Sequence, residues 1–289
     1  MHGVPVTAEG LGLRGPRGWA FRGISLDAGP GALIAVEGPS GSGRTCLLLA
    51  LTGRMKATEG TASVGTARLP KQPAAVRRIS AVANIAGVTD LEPALTVGEH
   101  LRERALLQRR FGDSVRDLVR PRVQRKARAQ HRIDDALAAA GLDPESLPKG
   151  ARTAVRDLER IEALRLSVAL AMVGKPRLLA VDDADLKLSE AERAEVRALL
   201  ASIAASGTTV VAVCGEAMAG AVVVHTGSTE APDASETPGA SETPEASETA
   251  ETPEITETPE ASEAPQTTEA PEAPQKKEAG DAFAATGRA

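Results

Sequence analysis

The sequence predicts an α/β fold built on a parallel sheet, and three observations carry that prediction. The apolar run Ala32-Leu33-Ile34-Ala35-Val36 leads into Gly38-Pro39-Ser40-Gly41-Ser42-Gly43-Arg44-Thr45, and a second apolar run, Cys46-Leu47-Leu48-Leu49-Ala50-Leu51, follows. This reads as buried strand, glycine-rich loop and helix. A second apolar run, Leu178-Leu179-Ala180-Val181, ends in Asp182-Asp183. Such a strand presents acid at its carboxyl end, the edge where open parallel sheets bind ligands. Strand and helix patterns then alternate to the end of the folded part: a helix over 189–205 and strands over 208–214 and 221–225.

Taken in order, residues from about Val4 to Asp27 read as short strands with turns. Gly10, Gly12, Gly15, Gly18 and Gly23 exclude a helix, and Ile24-Ser25-Leu26-Asp27 alternates as a half-buried strand does. Gly29-Pro30-Gly31 is a tight turn into the next strand. Beyond the helix at 46–51, Gly60 to Pro70 reads as turn and strand, and Arg77 to Asn84 as another strand. Thr96 caps a helix, with Glu99 three residues on as its reciprocal partner. Leu101 to Arg132 is helical in period, broken or kinked at Pro121. Its apolar heptads are not sustained, which excludes a coiled coil. Ile133 opens a separate, more acidic helix that ends at Gly141, and a further helix runs through Leu158 to Met172. Ser189 is the cap of the amphipathic helix that ends at Ala205, with acidic residues in its first turn.

The net charge of −5 conceals two opposite parts. From Thr226 to Ala289 there are 15 Asp/Glu against 3 Lys/Arg, and the remainder holds 31 basic against 24 acidic residues. Within that remainder, 101–132 has 11 Lys/Arg against 3 Asp/Glu, which is either a solvated helix surface or a face for an acidic partner. A mild positive balance of this kind fits nucleotide or an anionic surface and is no argument for nucleic acid. Residues 234–251 repeat ASETPG, ASETPE, ASETAE, and Glu-Thr-Pro units continue to about Pro274. This stretch has too few large apolar residues to offset the entropy of ordering, so 228–289 is expected to be a disordered acidic tail. Its role is that of a solvating extension or a segment that folds back on the basic 101–132 region. Only four aromatic residues occur, Trp19, Phe21, Phe111 and Phe283, so the core must be aliphatic. Cys46 and Cys214 cannot make a disulfide framework, which fits a reducing compartment. No stretch has the length and composition of a signal peptide or a membrane span. The expectation is a cytoplasmic chain, reaching a membrane only through another subunit.

The loop at 38–45 has the chemistry of a phosphate cradle. Glycines let backbone N–H groups turn inward around an anion, and the following helix adds its unpaired N–H groups and positive end. Thr45 is where a hydroxyl holds Mg²⁺. The pattern GxxxxGK[ST] asks for Lys where this chain has Arg44. Arg keeps the charge, but its planar fork is no equivalent of a compact ammonium.

With these motifs in place, the chain resembles an ATP-binding cassette (ABC) ATPase domain over about residues 4–227. Gly38 to Thr45 looks like the Walker A loop, Leu95-Thr96-Val97 like the LTV segment, Leu178 to Asp182 like Walker B, and Gly207-Thr208-Thr209-Val210 like the strand before the switch histidine. The resemblance implies a P-loop NTPase fold with a parallel core sheet, an N-terminal β subdomain and a helical subdomain inserted at about 90–175. It implies ATP and Mg²⁺ as ligands, with Gly38, Pro39, Ser40, Gly41, Ser42, Gly43, Arg44, Thr45 and Cys46 on the phosphates and Thr45 and Asp182 on the metal. It further implies a dimer of nucleotide-binding domains and a separate membrane permease docked on the helical region.

The departures fall on the chemistry. The LSGGQ signature falls on Leu158-Glu159-Arg160-Ile161-Glu162, where only the Leu is kept. In the family this signature faces the γ-phosphate held by the opposite subunit, so Glu159 sets like charges against each other there. The Walker B glutamate aligns with Asp183, the stand-in water-orienting group, and the Q-loop glutamine with Asn84; both are one methylene short. The switch histidine aligns with Gly215. The adenine-stacking aromatic aligns near Gly15, which makes Trp19 a candidate; the alternative is a Trp that packs a turn or the core. His225 reads as structural. The expectation is an ATP-binding transporter subunit with weak or lost hydrolysis. The alternative is a regulatory or scaffold pseudo-ATPase that binds a protein. Another P-loop enzyme, such as a small-molecule kinase, is disfavoured by the LTV segment and the Walker B spacing.

Overall fold

A computed structural model of the chain describes residues 3–111, 122–216 and 218–227. The expected tail over 228–289 and the break at Pro121 lie outside the described residues. Two sheets and a helical layer make up the fold.

The N-terminal sheet has the order β2-β1-β4-β5. β1 (Val6–Gly15) and β2 (Gly18–Ala28) form a long antiparallel ribbon, with Val6 opposite Ala28 and Gly15 opposite Gly18. β4 (Glu59–Val64) pairs antiparallel with β1, and β5 (Ala67–Leu69) with β4. The short strands expected here are therefore two long ones, bent by register shifts after Ala8, Leu11 and Leu13.

The second sheet is parallel throughout, in the order β6-β7-β8-β3-β9. Its strands are β3 (Leu33–Glu37), β6 (Ser80–Ala83), β7 (Leu178–Val181), β8 (Thr209–Val213) and β9 (Val222–His225). The four residues of β7 and the five of β8 are all buried. Successive residues face opposite cores, which is why these runs are apolar without alternation. Leu33, Ala35, Leu179, Val181, Val210 and Ala212 pack against helices on one side. Ile34, Val36, Leu178, Ala180, Val211 and Val213 pack on the other, where α1 (Arg44–Leu51) and the first sheet lie. Leu47, Leu48 and Leu51 of α1 are fully buried, each worth about 1.5–3 kcal/mol relative to exposure. Thr209 fastens the N-terminus to this sheet: its Oγ1 donates to the Val4 carbonyl at 2.7 Å and accepts from the Val4 and Gly31 N–H groups.

The sequence between β6 and β7 is helical. It carries α3 (Val97–Phe111), α4 (Arg122–Ala140) and α5 (Arg160–Met172). Thr96 caps α3 as expected: its N–H donates to Glu99 Oε2 at 2.8 Å, and the Glu99 N–H returns to Thr96 Oγ1. The helix expected to open at Ile133 is instead the second half of α4. The charge change at 132 lies on the solvent face, while Ile133, Ala136, Leu137 and Ala140 carry one buried stripe through it. The strand expected over Arg77 to Asn84 is likewise corrected, to α2 (Pro73–Ile79) followed by β6. Pro73 sits in the first helical turn, where its missing N–H costs nothing, and Val76 is buried. After β7, α6 (Glu190–Ala205) starts from a Ser189 cap closed by Glu192.

Candidate functional site

The glycine-rich loop joins β3 to α1 at the carboxyl end of the parallel sheet. Gly43 is the residue before α1 and has φ +82°, a left-handed conformation. A Cβ there would overlap the carbonyl of Ala20 in β2, so the loop is seated on the N-terminal sheet by a contact that only glycine permits. Gly41 has φ +84° as well, but a Cβ on it would meet nothing within 4 Å. The loop is thus closed on one side and open on the other, as an anion cradle needs. The Ser42 hydroxyl meets Thr226 Oγ1 at 2.6 Å, and Thr226 Oγ1 donates to the Glu37 carbonyl at 3.0 Å. The residue after β9 thereby ties both ends of the loop.

Across β8 from this loop, β7 delivers Asp182. Its carboxylate is buried, 3% exposed. Thr45 Oγ1 donates to Asp182 Oδ2 at 2.7 Å, and the Asp183 N–H donates to Oδ1 at 3.1 Å. Burial pushes the Asp182 carboxyl above its usual range, the Thr45 hydrogen bond and Arg44 oppose that rise, and the Asp183 charge adds to it. A buried carboxylate is costly unless something cationic meets it. Arg44 stands at the first position of α1, and its guanidinium, which acts on Asp182 through its charge, has no hydrogen bond or ion pair with another side chain among the described residues. A hydroxyl and a carboxylate side by side are hard oxygen donors of the kind that suit Mg²⁺, and the open face of Gly41 beside them suits a phosphate. The residues present fit both groups. Asp183 follows in a left-handed conformation, φ +43°.

The other candidates are distributed around this centre. Cys46 lies in the first turn of α1, with its thiol raised by burial and by Asp182. Asn84 follows β6 at φ +56°, and its side-chain amide donates to the Asp182 carbonyl at 2.8 Å. That amide therefore braces the backbone behind the acid. Trp19 lies at the start of β2, next to the Ala20 that touches Gly43. The guanidinium of Arg22 stands 4.5 Å from its ring centre and that of Arg14 5.7 Å. His225 Nδ1 stands 3.5 Å from Glu37 Oε2, at the strand end beside the loop.

At the signature position, Glu159 caps α5 and its N–H donates to Glu162 Oε2 at 2.8 Å. The positive end of this helix is already covered by the chain's own carboxylates. Two further residues of the site were not singled out in the sequence. Thr226 meets the loop from 184 residues away, with no local signal. Asp185, a third acid two positions beyond the Asp182-Asp183 pair, accepts from the Gly215 N–H at 2.6 Å. Its spacing was visible; its partner was not.

Known proteins resemble this chain in sequence and in fold. The model of the ABC transporter family matches residues 21–185. A putative ABC transporter ATP-binding protein of Streptomyces avermitilis is 32% identical over 72% of this chain and 33% of its own length. A cytochrome c biogenesis ATP-binding export protein of Methylococcus capsulatus is 33% identical over 49% of this chain and 60% of its own. An Fe(3+) ions import ATP-binding protein of S. avermitilis is 30% identical over 68% and 52%. The chain thus spans between a third and 60% of the length of these relatives. Among solved structures, a dimeric bacterial ABC transporter cassette superposes with a TM-score of 0.59 at 18% identity, over 76% of this chain and 94% of that one. An ATP-binding cassette bound to ADP and Pi gives 0.55 at 21% identity, over 73% and 88%. With a P-loop NTPase fold, a Walker-type loop and an acid at the ends of two strands that flank β8, and a family match over more than half its length, the chain belongs to the ABC transporter family.

Proposed function

We propose that this chain is the ATP-binding subunit of an ABC transporter, that it binds Mg-ATP through Gly38 to Cys46, and that hydrolysis is weak or lost. One observation carries the reading: a buried carboxylate, Asp182, held at 2.7 Å from the Thr45 hydroxyl beside an open glycine loop. In this reading Gly41, Ser42, Gly43 and Arg44 bind the phosphates, and Thr45 and Asp182 hold Mg²⁺, which supplies charge neutralisation when bound. Asp183 is the stand-in for the group that orients water. Trp19 and Asn84 contact the nucleotide only if their present partners yield.

Slow turnover is supported by the groups that would have to act. Gly215 has no side chain to offer, and Asp183 is shorter than a glutamate. The N-terminus of α5 meets its own Glu162. A carboxylate there weakens the attraction of a helix end for a phosphate on a facing subunit. The proposed cassette occupies 1–227, with the helical segment at about 90–175 docking a separate permease and 228–289 as a tail. Among the described residues no helix is long and apolar enough to cross a membrane. In this reading the chain meets the membrane through that partner.

The test is thermal unfolding of the chain with and without saturating Mg-ATP, beside Arg44→Ala. Ligand at 100 times its Kd adds about 2.7 kcal/mol, a rise of very roughly 5–10 °C for a domain of this size. A rise that Arg44→Ala abolishes, with turnover far below about 1 per second, is the expected result. No rise at millimolar nucleotide would refute it and leave the scaffold reading.

A further inference from the structure

The carboxylate of Asp185 stands over the strand that separates the two halves of the site. β8 lies between β7, which ends at Asp182, and β3, which leads into the loop. The turn after β7 bends over the end of β8: the Ala184 N–H donates to the Val213 carbonyl at 3.0 Å, and Asp185 Oδ2 accepts from Gly215 N–H at 2.6 Å. A side chain on Gly215 would begin 3.2 Å from that oxygen. A side chain at 215 would therefore press on the Asp185 carboxylate, which would have to give by a few tenths of an ångström. The thiol of Cys214 senses both Asp185 and Arg44, and burial together with Asp185 and Glu37 pushes it up to about 12. Arg197, the other cation near that thiol, is already paired with Glu190 at 3.2 Å and Glu216 at 3.1 Å.

This placement has a consequence for the nucleotide, and it rests on the reading that the loop takes one. In that reading Thr45 and Asp182 would hold a metal that supplies charge neutralisation, and the loop would hold the phosphates. Because β8 lies between the loop-bearing β3 and β7 with its Asp182, a phosphate chain reaching from the loop toward Asp182 would pass over the end of β8. That is where Asp185 stands, beside Asp183. We infer that Asp185 is a specificity-determining residue that works against the γ-phosphate, so that the site takes a nucleoside diphosphate at least as readily as the triphosphate. The diphosphate ends before reaching this carboxylate and keeps all its contacts to the loop. The triphosphate brings its terminal charges against two carboxylates, and Arg44 is the cation within reach to offset them.

The experiment is isothermal titration of the full chain with Mg-ADP and Mg-ATP, for wild type and Asp185→Asn, which keeps an oxygen for the Gly215 N–H. The wild type is expected to bind ADP as tightly as ATP or more tightly. Asp185→Asn is expected to tighten ATP on the order of tenfold and ADP by less than about twofold. Asp185→Ser, which removes the charge with a smaller side chain, must act in the same direction, and the wild-type order of affinities needs no variant at all. A wild type that prefers ATP by about tenfold, or variants that move both nucleotides equally, overturns the inference while leaving nucleotide binding intact. Absence of binding by both nucleotides to every protein overturns the nucleotide reading, and this inference with it.

Discussion

Two glycines of the loop share a backbone conformation and differ in surroundings, and replacing each by alanine separates folding from ligand binding. Gly41 and Gly43 have φ of +84° and +82°. Placing an L-residue in the left-handed region costs roughly 1–2 kcal/mol in either case. At Gly43 the new Cβ would also overlap the Ala20 carbonyl oxygen and lie 2.6 Å from its carbon. Those are backbone atoms of β2, a strand fixed by its ladder to β1, so they yield only by moving the loop or the sheet. Overpacking of that kind costs a further 1–3 kcal/mol or so. Gly43→Ala is therefore expected to lose about 2–5 kcal/mol. At Gly41 a Cβ meets nothing within 4 Å, so Gly41→Ala should lose only the conformational part, about 1–2 kcal/mol. Its methyl group stands on the open face of the loop, so its larger effect should be on phosphate binding. Urea unfolding of the two variants gives the stabilities, and titration of Gly41→Ala with Mg-ADP gives the binding. Equal destabilisation by the two substitutions would refute the docking of the loop on β2.

Further outcomes concern Thr45 and Ser189. Thr45→Val removes the donor to Asp182 Oδ2 and should destabilise the chain by about 1.5–3 kcal/mol, while Thr45→Ser should restore most of the loss; unfolding midpoints in urea decide this. The same valine should remove the Mg²⁺ dependence of nucleotide affinity, and an unchanged dependence would place the metal elsewhere. Ser189→Ala should cost about 1 kcal/mol at neutral pH by opening the cap of α6. The Ser189 hydroxyl and N–H hold the Glu192 carboxyl below its ordinary value of 4.5. A depressed carboxylate stabilises above its unfolded pKa and loses that contribution as the pH falls through the folded one. The gap between wild type and Ser189→Ala should accordingly narrow as the pH drops below 4.5, and a constant gap would exclude the Glu192 contribution.

How far the sequence carries depends on whether a signal is local. The strand–loop–helix at 33–51 is local, and so is the run of four apolar residues before Asp182; both are in place. The caps at Thr96 and Ser189 depend on residues three apart and also hold. The segment at 77–84 misled because Arg77, Arg78 and Ile79 close a helix that Pro73 opens, with Arg77 donating to the distant Gly53 carbonyl at 2.8 Å. Ile133 misled because charge changed while the buried stripe did not. At the site, the glycine-rich loop and the acid after β7 were legible as local patterns, and the contacts that brace them were not. Thr226, Ala20 and the Gly215 partner of Asp185 reach it from other parts of the chain, and their contacts are properties of the fold.

The sheet order also fixes when the site can exist. β3 has two neighbours, β8 and β9, and both lie more than 170 residues further along the chain. A nascent chain halted before Thr209 has β6 and β7 to pair with each other, but its loop-bearing strand has none. Domains tend to assemble as synthesis proceeds, yet here the loop waits for the last two strands, and Thr226 closes it only after β9 is complete. Such long-range pairing is slow because loop closure precedes its reward. The glycine-rich loop, written among the first 45 residues, is among the last of the described parts to find its neighbours.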